Sequence, residues 1–112
     1  MDNWLEQYGQ VLENLNADNL TELEACLAEG VEFRDPFNHS HCRDDFISIM
    51  RDMFEKLDNV SFVVHQTLDR EQHGYLYWTF TASSRTTGNL SVEGTSRVEI
   101  DDAGLICLHH DF

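Results

Sequence analysis

Apolar residues recur along this chain first at helical spacing and then at every second position, and the switch falls at Val31. From about Asn3 to Asn14, the residues Trp4, Leu5, Tyr8, Val11, Leu12 and Leu15 return every three or four positions, which predicts an amphipathic helix. A polar stretch, Asn14 to Asn19, interrupts the stripe. Asp18 or Asn19 is placed to cap a short second helix with Leu20, Leu23 and Leu27 inside and Gly30 at its C-terminal stop. Beyond it Val31, Phe33, Asp35 and Phe37 share one face of a predicted strand, and Glu32 and Arg34 the other. Pro36 brings no N–H to a ladder, so this strand either lies at an edge or ends there.

Asn38 to Cys42 reads as a loop. A third helix then carries Phe46, Ile47, Ile49, Met50, Met53, Phe54 and Leu57, with Asp44 and Asp45 at its positive N-terminus. The remainder alternates as four strands, Val60 to Leu68, Tyr75 to Ser83, Leu90 to Ile100 and Leu105 to Phe112, with turns around His73-Gly74, Gly88-Asn89 and Ala103-Gly104. Short turns between them require mostly antiparallel pairing. Leu76, Trp78, Phe80 and Ala82 form an apolar face, and so do Leu90, Val92, Gly94, Ser96, Val98 and Ile100, where Gly94 suggests a bend or bulge. In the last strand both faces are partly apolar, and alternation alone does not choose between Cys107, His109, Asp111 and Ile106, Leu108, His110.

The expected product is an α+β fold of order α-α-β-α-β-β-β-β, and 112 residues suit a single domain spanning 1–112. The net charge is −14, from 21 acidic against 7 basic residues, and the basic residues stand apart from one another. That excludes a nucleic-acid surface, which needs clustered Lys and Arg. No apolar run reaches membrane-span length and no signal-like segment opens the chain, so a soluble cytoplasmic protein is expected. Cys26, Cys42 and Cys107 are odd in number and unpaired in spacing, as reduced thiols would be. The outer face Tyr75, Tyr77, Thr79 and Thr81 is too aromatic for a solvated sheet, which predicts a homodimer through it.

Two helices, V-x-F-x-D-P-F at Val31 to Phe37, a further amphipathic helix, and a meander ending D-x-x-G-L-I-x-x-H-x-D-F at Asp101 to Phe112 together resemble the SnoaL-like branch of the nuclear transport factor 2-like superfamily. The resemblance covers essentially the whole chain. It implies a cone, a strongly curved and mostly antiparallel sheet wrapped around three helices, with a small-molecule pocket open at one end and a few residues continuing beyond Phe112. Ketosteroid isomerases of this fold place a proton-shuttling carboxylate at a motif matching Asp35-Pro36. Their protonated acid falls here on Ser96 and their tyrosine near Val11, so the oxyanion donors are not carried over and steroid isomerisation is not implied. An epoxide-hydrolase trio is not supplied either, since Arg34 and Arg97 alternate outward. SnoaL-like cyclases point a His and an Asp inward from the late strands, which maps onto His109 and Asp111.

The candidate catalytic residues are therefore Asp35, His109 and Asp111. Asp35 acts as a base, or it accepts backbone N–H groups of the turn after Pro36; His109, oriented by Asp111, is an acid partner or a histidine bonded within the sheet. Ligand contacts are expected from Tyr8, Phe33, Phe37, His41, Phe54, Trp78 and Ser96. His39, His41 and Cys42 have metal-ligand chemistry but no second spaced pair, so neither a metal nor any other cofactor is expected. A non-enzymatic binding or dimerisation module of the same fold is the alternative to an isomerase, cyclase or hydratase.

Overall fold

The structure is a computed structural model and describes residues 3–112. The helices α1 (Trp4–Glu13), α2 (Leu20–Cys26) and α3 (Arg43–Lys56) accompany six strands, β1 (Leu27–Arg34), β2 (His39–Ser40), β3 (Asp58–Arg70), β4 (His73–Ser84), β5 (Gly88–Ile100) and β6 (Ile106–Asp111). They form one curved sheet of order β2-β1-β6-β5-β4-β3 around the helices, an α+β architecture. Every pairing is antiparallel except β1 with β6, which run parallel. Among the described residues no helix is long and apolar enough to cross a membrane.

The helical stripes do what their spacing requires. Leu5, Tyr8 and Leu12 of α1 are buried against β3 and β4, and Phe46 and Ile47 of α3 pack toward β1. Asn19 stands at the N-cap of α2, but its side chain ties the preceding turn instead, donating to the Asn14 carbonyl at 2.9 Å and accepting from the Asn16 N–H at 2.7 Å.

Several expected boundaries shift for identifiable reasons. Helix α2 stops at Cys26, so Gly30 is no helix terminator and lies inside β1, where the pairing with β6 slips between Leu27 and Glu32. Strand β1 is not an edge strand: β2, a two-residue strand inside the expected loop, pairs on its far side. Pro36 therefore follows a strand that has ended at Arg34, and the alternation ends with it. Val31 and Phe33 are buried, whereas Phe37 is 92% exposed. The β3–β4 turn is Glu71-Gln72, two residues before the expected His73-Gly74, and Glu71 adopts a positive φ of 58° to make it.

The face of β6 is decided by a bulge. Glu99 faces Leu108 and Ile100 faces Ile106, so Cys107 is the extra residue. That slip lets Ile106 and His109 both point inward, although their spacing is odd.

Candidate functional site

The sheet and helices enclose a cavity of about 380 Å³. Its walls are Phe33, Phe46, Phe54, Phe62, Trp78 and Phe80, with Met50 and Met53 of α3 across from the sheet. Phe33 and Phe46 stack at 4.3 Å, and Phe62 lies 5.1 Å from Trp78, so the apolar lining is built by strand side chains locked against α3 and against each other. Its polar corner is His109 and Asp111, side by side on the inner face of β6.

Five side chains from four elements meet behind that corner. The Tyr8 hydroxyl lies 2.7 Å from His109 Nδ1, and His109 Nε2 lies 2.8 Å from Asp111 Oδ1. Ser96 Oγ donates to the same oxygen at 2.5 Å and accepts from Trp78 Nε1 at 2.8 Å. The arrangement that satisfies every member has Tyr8 O–H donating to Nδ1 and Nε2–H donating to Asp111, which is the neutral imidazole. Every proton then points toward the carboxylate. Asp111 Oδ2 has no protein partner among the described residues, and Asp111 lines the cavity.

Register explains the convergence. Leu76 pairs with Ser96 and Ser96 with Asp111, while Phe33 pairs with His109, so these side chains line up across the inner face. His109 is 4% exposed and sits among Tyr8, Phe33 and Phe46, with ring centroids 5.7, 5.4 and 5.5 Å away. Burial pushes the Asp111 carboxyl up, but neighbouring His109, the Ser96 hydroxyl and His110 more than offset it, and the carboxyl titrates below its usual range. Tyr8 is shifted the other way, well above the usual phenol value, by burial and then by the charges of Asp111 and Cys26. It stays a protonated donor.

Asp35 also lines the cavity, at its mouth, but its carboxylate is occupied. Oδ1 accepts the N–H groups of Phe37 at 2.8 Å and Asn38 at 2.7 Å, and the Asn38 amide bonds both oxygens. Phe37 stands on the rim beside it, and Phe54 and Trp78 lie within the walls. Tyr8 and Ser96 reach the cavity through His109 and Asp111 rather than directly. His41 is outside it, exposed on β2's side of the sheet.

There His41 joins Glu32 and His39, whose candidate ligand atoms all lie within 4.8 Å of one another. The β1–β2 register supplies the carboxylate that sequence spacing around His39 and His41 does not reveal. This trio could hold a cation. As it stands, Glu32 bonds His39 Nε2 at 2.7 Å, which lowers its pKa, and the Arg34 guanidinium lies 3.5 Å from the other ring nitrogen.

The wall residues Phe46 and Met53 are readable from the sequence as a helical stripe and not as lining. The Tyr8–His109 contact had no local signal, because 101 positions separate the two.

A search of solved structures finds the same fold at low identity. TsrD from Streptomyces laurentii superposes with a TM-score of 0.83 at 15% identity, covering 100% of this chain and 90% of that one. An NTF2-like protein of unknown function from Exiguobacterium sp. 255-15 gives 0.82 at 12%, covering 97% and 96%. A hypothetical protein with a ketosteroid isomerase-like fold from Catenulispora acidiphila, in complex with trimethylamine, gives 0.81 at 9%, covering 100% and 85%. These likenesses are of fold alone. No curated protein matches the chain. The family model described as SnoaL-like domain matches residues 8–109, and the chain belongs to that family.

Proposed function

We propose that this is a pocket protein that binds a small, partly apolar molecule. The observation that carries the reading is the cavity of about 380 Å³, walled by aromatic and methionine side chains and ending in a hydrogen-bonded carboxylate whose second oxygen has no partner among the described residues. Apolar walls supply affinity and the polar corner supplies orientation. The Catenulispora acidiphila protein of this fold is itself in complex with a small organic molecule.

Acid/base chemistry is the second reading, and the Tyr8–His109–Asp111 chain is the observation that favours it. Asp111 is the group that meets a ligand, with His109 the positioning residue behind it and Tyr8 behind His109. Its depressed pKa argues against a strong base, because general-base efficiency peaks when the pKa lies near the working pH. Asp35 is committed to the turn it closes. Binding is therefore the better supported function, with isomerase, cyclase or hydratase chemistry secondary to it. A second copy of the chain covering the outer face of β3 and β4 completes the proposal, supported by exposed Val63, Leu68, Tyr75 and Tyr77.

One experiment addresses both readings. 1-Naphthol, titrated by calorimetry, should bind saturably, and Met50→Trp, which fills the cavity, should abolish the binding. Unsaturable uptake, or binding untouched by Met50→Trp, rejects the pocket. 5-Nitrobenzisoxazole, whose ring opens when a base removes its C–H proton, tests the chemistry on the same protein. Saturable opening that falls by about 10²-fold or more in Asp111→Asn would establish a catalytic carboxylate; a rate equal to buffer would leave binding alone.

A further inference from the structure

The charge of the cavity says which small molecules it takes. Among the described residues its lining includes the acidic side chains of Glu13, Asp35 and Asp111 and no Lys or Arg. Two of the three are held by neighbours: Glu13 accepts the Val64 N–H at 2.8 Å, and Asp35 is closed into its own turn. Asp111 is the inner one. Its side chain is only 22% exposed, and in the proton arrangement that satisfies Tyr8 and Ser96 the adjacent imidazole is neutral. Among the described residues its Oδ1 is bonded by Ser96 and His109, while Oδ2 has no protein partner and faces a cavity without Lys or Arg. A half-buried carboxylate with one oxygen left free is a ready partner for a bound cation.

The rest of the wall is suited to the same guest. Aromatic faces attract cations electrostatically and an apolar body by area burial, and a methionine-rich side adapts to shape. Ser96 Oγ contacts both Trp78 Nε1 and Asp111 Oδ1, so indole and carboxylate are held next to each other at the cavity's inner end.

We propose that the ligand is a small organic cation, a protonated amine or a quaternary ammonium group on an apolar body, seated with its charge between the Asp111 carboxylate and the aromatic wall around Trp78. The assignment rests on the pocket reading above and narrows it. A carboxylate or phosphate ligand is disfavoured by the same field.

Phenyltrimethylammonium and tert-butylbenzene have the same shape and differ by one charge, which makes them the probes. Calorimetric titration of the wild-type protein at low ionic strength should show the cation binding at least about 10-fold tighter than the neutral isostere, although the isostere is the more hydrophobic. Added salt should narrow the gap. Asp111→Asn should remove the preference and leave tert-butylbenzene affinity unchanged; if that variant does not fold, the wild-type comparison still decides. Equal or tighter binding of tert-butylbenzene overturns the cation assignment while leaving the pocket intact. If neither probe binds and 1-naphthol also fails, the pocket reading falls with it.

Discussion

The phenol of Tyr8 does more at the level of a single residue than its place in the helical stripe requires. It is buried, and its proton is what His109 Nδ1 accepts. Tyr8→Phe keeps the ring and strands that nitrogen, which should cost about 1–3 kcal/mol as a buried acceptor left without a donor. The pH dependence should change as well. Because folding raises the Tyr8 pKa, its contribution is complete below the usual phenol value of 10.0 and is lost as pH rises past it toward the folded value. Asp111 has the opposite sign: folding lowers its pKa, so its contribution is present above the usual 3.8 and lost as pH falls below that. Tyr8→Phe should therefore flatten the alkaline limb of a denaturation series and leave an acid limb. An unchanged unfolding midpoint at pH 7 would remove Tyr8 from the network. Alternation made Trp78 and Ser96 legible as facing inward, and only the resemblance to SnoaL-like cyclases added His109 and Asp111 to them. Their mutual bonds were not legible, because each links strands or a helix far apart in the chain.

Between elements, the contact that shapes the cavity is made by a glycine. Gly94 of β5 faces Trp78 of β4, and a Cβ there would come within 2.4 Å of Trp78 Cη2 and 2.9 Å of the Phe112 carbonyl oxygen. The indole lies where a side chain would otherwise stand. Gly94→Ala must displace the ring, the end of β6, or both, which predicts a loss of about 1–3 kcal/mol as an overpacked site. It should also disturb the Trp78–Ser96 bond, visible as a shift of Trp78 emission in a Trp4→Phe background. Unmoved emission and midpoint would show that the ring does not depend on this vacancy. The sequence exposed Gly94 as an exception to β propensity without showing what filled the space. The slip at Cys107 was less legible still: a one-residue bulge inverts the alternation that would have been used to find it, so Ile106 and His109 could not be assigned inward together. Parallel pairing of β1 with β6 sets the first strand beside the last and is a topological fact that no window of residues contains.

For the whole molecule, two opposing quantities decide whether the outer face stays bare. Val63, Leu68, Tyr75 and Tyr77 expose apolar surface on adjacent strands, 44%, 69%, 46% and 39% accessible, and burying them against a second copy would be favourable. Each copy also brings a net charge of −14, and like charge opposes association over distances that salt sets. With a screening length of roughly 30 Å at 0.01 M salt and about 10 Å at 0.1 M, repulsion reaches across the whole interface in the first case and is confined to near neighbours in the second. Sedimentation velocity should therefore find monomer favoured at low salt and dimer favoured as salt is raised. Val63→Glu places another carboxylate on the face and should hold the protein monomeric at both, with no change in the unfolding midpoint of the dilute protein, since Val63 is partly exposed. A wild-type chain that sediments as monomer at every salt concentration would mean that the tyrosine face has no second copy to meet. Ligand affinity measured across the same salt series separates the two faces of the sheet, because screening strengthens contact at the outer face and weakens cation binding at Asp111.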